Sequence, residues 1–460
     1  MADITLINFN TGLNLSLGEV GTGSNRCKYL PVGSLYLVSS LEEKGFEVDF
    51  RDYQFLPPEK FYDIESLASS LKSSSDILGV SVSTDMLPFA MLFFKEIKER
   101  FPEKRIIIGG PGVKAIEEKL MKEFPWVDVL VFGDGEQTIT ELLDSMIKEK
   151  DLKKVEGISF RSKKGIFFTP PRKTLSDLDK LLYPDYHKIK LKDYDLKSII
   201  TARGCCFRCA FCNHSLDHTP VRYRSIDNVM KEIELLASEF GCTELKILDD
   251  NFAFNKKRAR LFCTELKKLK VDLRLDISVT LSCLNENLMR ELSSAGVTSI
   301  LFGIESASNR ILKRINKPFT LEQAEKAIKK SANYFDAIEL SFIWGFPFET
   351  MQEFRKTLFY YIYYGGLFKE KNKTGLGMLI PLPESMLFKE FGNSIRFSEE
   401  LSWNGLVSLN DSRDYMQLIP RKELISLIKT YPKIFSSFYY YPHRDIKKKN
   451  YLLKKNLEIT

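Results

Sequence analysis

No apolar run in this chain of 460 residues approaches the roughly 20 residues that a membrane-spanning helix needs. The longest candidate, Leu358 to Phe368, is shorter and is interrupted by Gly365 and Gly366. The first residues, Met1-Ala2-Asp3-Ile4, lack the basic and apolar segments of a secretory leader, so a cytoplasmic protein is expected. Cysteine is too sparse for a disulfide scaffold, with eight in the whole chain. Disorder and collagen-like repeats are excluded by a composition of 44% hydrophobic and 28% charged residues. A basic body is missing as well. The formal excess is +7, and Arg421 to Thr460 alone carries ten Lys/Arg against three Asp/Glu, so the rest of the chain is balanced. That disfavours nucleic acid as a partner. What remains is a basic, aromatic tail, Phe438-Tyr439-Tyr440-Tyr441 followed by Lys447-Lys448-Lys449, expected to be a solvated extension. The length sets a prior of about three domains.

Residues 1–150 alternate short apolar runs with amphipathic stretches. The runs begin at Ile4, Phe46, Ile77, Arg105 and Val127, and a helix is expected from Leu35 to Lys44 with Gly45 as its C-terminal cap. This alternation predicts a doubly wound, flavodoxin-like parallel sheet whose ligand lies beyond the strand C-termini. Small and hydroxyl residues gather there: Ser81, Ser83 and Thr84 after the third run, Gly109-Gly110-Pro111-Gly112 after the fourth, and Gly133-Asp134-Gly135-Glu136-Gln137-Thr138 after the fifth. Glycines would let a bulky ligand approach the backbone, and hydroxyls would bond a polar tail. The Gly-x-Gly-x-x-Thr follows the last strand and lacks a third glycine, which argues against a nicotinamide dinucleotide. Residues 151–194 read as a linker with a small hairpin (157–168) of its own.

Four of the eight cysteines fall within eight residues: Cys205, Cys206, Cys209 and Cys212. They directly follow a strand-like Ser198-Ile199-Ile200-Thr201. Such clustering in an intracellular protein points to metal. A bacterial ferredoxin spacing begun at Cys206 needs a cysteine at 216, where the chain has Leu216. A zinc site could take its fourth ligand from His214 or His218. Taking Cys205, Cys209 and Cys212 gives C-x3-C-x2-C, three thiolates for a four-iron cluster that leaves one iron open. Five further strand-like runs follow, near 244–248, 273–279, 299–302, 337–343 and 376–380, with helical segments between them. Polar residues sit at their ends: Asp249-Asp250-Asn251, Ser278, Glu305 and Gly345 to Glu349.

The cysteine spacing, with Phe211 just before the last cysteine, resembles the radical SAM superfamily. Combined with the first domain it resembles the cobalamin-binding (class B methyltransferase-like) branch. That resemblance implies a cobalamin-binding Rossmann domain at 1–150, a linker at 151–194, a partial (β/α)6 barrel at 195–390, and a mostly helical C-terminal region at 391–460. It implies three cofactors: a [4Fe–4S] cluster on Cys205, Cys209 and Cys212, S-adenosylmethionine (SAM), and cobalamin. Asp249, Asp250 and Asn251 match the family's contact to the SAM amino group, and Ser278 and Glu305 positions near its ribose or carboxylate. Phe211 belongs with these cofactor-side residues. Ser81, Ser83, Thr84, Gly109, Gly110, Gly133, Gly135 and Glu136 match corrinoid-holding loops, and Tyr29-Leu30-Pro31-Val32-Gly33 a helix start. The Asp-x-His-x-x-Gly motif of other corrinoid proteins is absent, since no histidine precedes His187; the lower cobalt face is therefore expected to lack imidazole, with the loop Thr84 to Met86 as its neighbour.

The activity so implied is methyl transfer from methylcobalamin to an unactivated carbon after hydrogen abstraction by the 5′-deoxyadenosyl radical. No side chain is required as a general base. The alternatives are a cobalamin-using cyclase or ring-rearranging enzyme, or a radical SAM enzyme with an empty first domain. A methylthiotransferase would carry three more N-terminal cysteines, where this chain has only Cys27. A monomer is expected, reduced by flavodoxin or ferredoxin. The substrate is not legible. Leu424, Leu427 and Ile428 predict a helix packed on the barrel, while Trp403 and Asp411 to Tyr415 read as loop.

Overall fold

A computed structural model describes residues 2–9, 27–213, 220–367, 372–399, 401 and 421–457. The N-terminal sheet runs in the order β2-β1-β3-β4-β5-β6-β7. Its parallel part consists of β1 (Ile4–Asn8), β2 (Val48–Asp52), β3 (Ile77–Ser81), β4 (Arg105–Gly109) and β5 (Val129–Val131). This is the flavodoxin-like order, with the direction of winding reversing between β1 and β3. The central strands read as near-continuous Ile/Val/Leu because both faces are covered. Helices Val32–Glu43 and Gly135–Ile147 cover one face through Val38, Leu41, Ile139 and Leu142. Helix Leu87–Arg100 covers the other through Phe89, Phe93, Phe94 and Ile97. The first helix ends as expected, with Gly45 at φ +84° donating its N–H to Glu42.

The hairpin within the expected linker is part of this sheet. β6 (Ile158–Ser162) pairs antiparallel with β5, and β7 (Gly165–Phe168) closes the edge. An exposed parallel edge seeks a partner, and the hairpin supplies one.

The second large sheet contains six parallel strands in the order β15-β14-β13-β12-β11-β8. They are β8 (Ser198–Ile199), β11 (Glu244–Ile247), β12 (Arg274–Ser278), β13 (Val297–Glu305), β14 (Ala337–Trp344) and β15 (Asn372–Met378). This is the partial barrel that the family resemblance implies, with a continuous apolar core from Ile199 to Phe342. Between β8 and β11 a short ribbon forms, β9 (Ala202–Arg203) against β10 (Arg222–Tyr223).

The C-terminal region departs from expectation twice. Helix Arg421–Thr430 packs on the N-terminal domain instead of the barrel: Leu424 and Ile428 join the apolar cluster of helix Leu87–Arg100, and Tyr431 meets Phe124 at 5.0 Å. The basic tail is not a solvated extension. Phe438 and Tyr441 are buried, and helix Ile446–Leu457 buries Lys449 completely. Trp403 and 411–415 lie outside the described residues, as do His214 and His218. No helix among the described residues is long and apolar enough to cross a membrane.

Candidate active site

The cysteine loop begins where β9 ends. Gly204 at φ +96° turns the chain, and the half-exposed thiols of Cys205, Cys209 and Cys212 follow, none in a disulfide. Backbone bonds set the loop: Ala210 donates to Ile315 O (3.1 Å), Leu387 to Ala210 O (2.9 Å), and Cys212 to Cys209 O (3.1 Å). Asn316 Nδ2 donates to Arg208 O at 3.0 Å. Phe211 packs with Ile311, Ile315, Phe346 and Tyr441.

Each strand-end residue has a definite place. Asp249 follows β11 and is 3% exposed. Its Oδ1 accepts the N–H of Thr201 (2.7 Å) and of Ala202 (2.8 Å), and its Oδ2 accepts the Thr201 hydroxyl (2.5 Å). Burial raises this carboxyl from its ordinary value against those bonds. Asp249 thus clamps the segment leading into the cysteine loop, and its oxygens are committed to protein. The neighbouring Asp250 is exposed and acts electrostatically on Cys205. Asn251 is buried and spans to the next strand, accepting from Thr280 N–H (3.2 Å) and donating to Cys283 Sγ (3.4 Å). Ser278 closes β12, its carbonyl accepting from Phe252 N–H at 3.0 Å.

Glu305 closes β13 at φ +66°, a conformation a non-glycine residue adopts only under constraint. Its Oε1 accepts from Lys317 Nζ at 3.0 Å, with both side chains under 10% exposed. Lys317 also lies 5.9 Å from the Phe211 ring centre. Burial works against its charge, but Glu305 together with Cys209 and Cys205 outweighs it and raises the ammonium above its ordinary value. Sequence reading missed Lys317, which sits in an aperiodic Asn-Lys-Pro turn. Its charge acts on Cys205 and Cys209 in the direction that favours thiolates, whereas burial pushes Cys209 up to about 11. At the next strand end, Glu349 accepts from Gly345 N–H (3.0 Å) and pairs with Lys449 (2.8 Å), both side chains fully buried.

In the N-terminal domain Ser81 and Gly109 are register partners. A Cβ on Gly110 (φ +94°) would meet Ser81 Oγ at 2.8 Å and Val82 N at 2.9 Å, and one on Gly112 would meet the Ser83 backbone at 2.6 Å. These two glycines therefore allow one loop to press on another, in place of admitting a ligand. Gly133 (φ +81°) differs, with open space where its Cβ would stand. Ser83 and Thr84 are half-buried. Gly135 would touch only Leu37. Glu136 is 6% exposed and ion-paired with Arg203, the residue before the cysteine loop. Asp134 pairs with both Arg203 and Arg222.

The donor set fits a cluster. Three thiols lie on one loop, and the charge of the buried Lys317 acts on two of them, Cys205 and Cys209, a donor set that suits a multi-iron group. Toward a corrinoid, Gly133 offers backbone with no atom near its would-be Cβ, and Ser83 and Thr84 are partly exposed.

Comparison with known proteins agrees. Residues 199–360 match the radical SAM superfamily, and residues 22–143 match the B12 binding domain. The uncharacterized methyltransferase PH0819 of Pyrococcus horikoshii is 32% identical over 336 residues, covering 71% of this chain and 72% of that protein. The chain belongs to the cobalamin-binding radical SAM family. Its cofactors are those of the family: a [4Fe–4S] cluster, SAM and cobalamin. The anaerobic magnesium-protoporphyrin IX monomethyl ester cyclase of Rubrivivax gelatinosus is 26% identical, covering 82% of this chain and 69% of its own length. Among solved structures, the radical SAM methyltransferase TsrM of Kitasatospora setae, with cobalamin and a [4Fe–4S] cluster bound, superposes with a TM-score of 0.68 at 19% identity, covering 87% of this chain and 77% of that one. The cobalamin-dependent radical enzyme OxsB superposes at 0.67 and 17% identity, covering 98% of this chain and 65% of its own. At such identities the likeness is one of fold.

Proposed function

We propose that this enzyme transfers a methyl group to an unactivated carbon of a small-molecule or peptide substrate. When bound, the reduced cluster supplies an electron to SAM and the corrinoid supplies the methyl group. Cys205, Cys209 and Cys212 hold the cluster, leaving one iron for SAM. Asp250, Asn251, Ser278 and Glu305 form the SAM side, and Asp249 holds the approach to the cysteine loop in register. Lys317 balances the negative charge of the thiolates. Ser83, Thr84 and the Gly133 loop hold the corrinoid tail. The protein's share is to align reacting atoms and exclude water, with no proton-transfer residue required. An electron donor such as flavodoxin or ferredoxin reaches the cluster past Cys206, where Tyr223, Phe254, Lys256 and Lys257 line an open groove. A cytoplasmic monomer is the setting that goes with this reading.

The observation that carries the proposal is the ion pair between Arg203 and Glu136, which joins the cysteine loop to the corrinoid-side loop. The methyltransferase relative at 32% identity favours methyl transfer over cyclisation. Protein reconstituted with iron, sulfide and hydroxocobalamin, then reduced and given CD3-labelled SAM, should yield CD3-cobalamin and S-adenosylhomocysteine together with 5′-deoxyadenosine. Deoxyadenosine without labelled cobalamin would turn the reading towards the cyclase. Loss of deoxyadenosine is expected for Cys205→Ala, Cys209→Ala and Cys212→Ala, and not for Cys206→Ala.

A further inference from the structure

Asp134 stands at the N-cap of helix Gly135–Ile147, yet its side chain makes no capping bond. An aspartate there ordinarily accepts from its own helix. Here the carboxylate is turned away to Arg203 (3.3 Å) and Arg222, and it also accepts from Leu175 N–H at 3.3 Å. Two residues on, Glu136 reaches the other side of Arg203. Burial opposes the Asp134 charge, but the bond from Arg222 and the charge of Arg203 outweigh it.

The two arginines are not independent. Arg203 and Arg222 are register partners across the β9–β10 ribbon, so one loop of the N-terminal domain grips both strands of it. Arg203 is the last strand residue before Gly204 and Cys205, and its guanidinium lies 5.5 Å from the Tyr36 ring centre on helix Val32–Glu43. The arginine and glutamate side chains are 17% and 8% exposed, so the pair is largely shielded from water. A shift of loop 133–136 therefore pulls on the residue that starts the cysteine loop.

We propose that Arg203 is a positioning residue that couples the setting of the cysteine loop to occupancy of the corrinoid-side loop, through Asp134 and Glu136. This rests on the function proposed above. A corrinoid that orders loop 133–136 fixes the carboxylates, and the carboxylates fix the start of the cluster loop. Coupling of this kind is reciprocal: the cluster must raise cobalamin affinity by the factor by which cobalamin steadies the cluster.

The test needs no turnover. Cluster-loaded protein, with and without hydroxocobalamin, is exposed to an iron chelator, and the rate of iron loss is followed. Cobalamin affinity is measured separately on cluster-free and cluster-loaded protein. In wild type, cobalamin affinity should rise about five-fold or more when the cluster is present, at the lower end of known coupling energies, and iron loss should slow when cobalamin is bound. Arg203→Gln, outside the corrinoid-side loop, should still bind cobalamin but lose most of the effect, and Glu136→Gln should lose it as well. Arg203→Lys should restore a part of it relative to Arg203→Gln. Circular dichroism of each variant separates loss of coupling from loss of fold. The inference is overturned if wild type binds cobalamin with no change in iron loss, or if Glu136→Gln and Arg203→Gln, both folded, keep the full effect. A wild type that takes up no cobalamin at all overturns the proposed function, and the coupling with it.

Discussion

The two large sheets spend the residues at their strand ends differently. In the N-terminal sheet, Gly110 and Gly112 bring loop against loop, while Asp134 and Glu136 reach outward to arginines of the barrel. In the barrel the carboxylates turn inward: Asp249 grips Thr201 and Ala202, Glu305 holds Lys317, and Glu349 holds Lys449. The contrast teaches that a polar residue at a strand C-terminus often builds the loop that binds, without itself touching the ligand. Asp249 and Asp250 are adjacent in sequence and opposite in this respect, one consumed by backbone and one exposed.

The sharpest way to break the contrast is at Glu349. Burial pushes this carboxyl up and the Lys449 ammonium down, and their mutual attraction opposes both. Lys449→Met leaves a buried carboxylate without its partner and should cost about 3–5 kcal/mol in urea unfolding, whereas Lys455→Met on the exposed side of the same helix should cost almost nothing. The double variant Lys449→Met/Glu349→Met should recover most of the loss.

Next in size is Asp249→Ala, which strands two backbone donors and a hydroxyl. At about 1–3 kcal/mol for each buried unsatisfied group, a loss near 3 kcal/mol is expected, with far less for Asp250→Ala. Asp250→Ala should instead weaken SAM binding in a filter or calorimetric assay.

In the N-terminal sheet, Gly110→Ala combines a left-handed backbone with a clash and should cost about 2–3 kcal/mol. Gly133→Ala meets open space and should cost about 1–2 kcal/mol, from backbone conformation alone. If Gly133 faces corrinoid, the smaller stability change should come with the larger loss of cobalamin affinity.

The smallest effect is one of pH. Burial, helped by the nearby Lys449 charge, lowers His443 to about 4. The unfolded chain then binds an extra proton between the ordinary histidine value and about 4. Stability is full above that window and falls as pH drops through it. Between pH 7 and pH 5 the His443-dependent loss should be at most about 1 kcal/mol, because solvent screens a ring that is partly exposed. Unfolding curves of His443→Gln should show that part of the pH dependence removed.

Much of this was legible in the chain. Strand positions follow from apolar runs buried on both faces, and the cluster loop from cysteine spacing, because both signals are local. What stayed hidden is non-local. Nothing in Leu424, Leu427 and Ile428 tells which apolar surface they meet, and they meet helix Leu87–Arg100. Three consecutive lysines read as solvated, since a sequence pattern cannot show that Lys449 faces Glu349 one hundred residues away. The hairpin at 158–168 reads as a linker because edge pairing with β5 depends on the sheet already being built. Lys317 and Arg203 carry no motif that periodicity or spacing would flag.

The most direct measurement is the EPR spectrum of reduced, cluster-loaded protein before and after SAM is added. An iron left open by Cys205, Cys209 and Cys212 predicts a signal whose shape changes when SAM binds, in protein that also retains cobalt. A signal indifferent to SAM, or zinc in place of iron, would contradict the account.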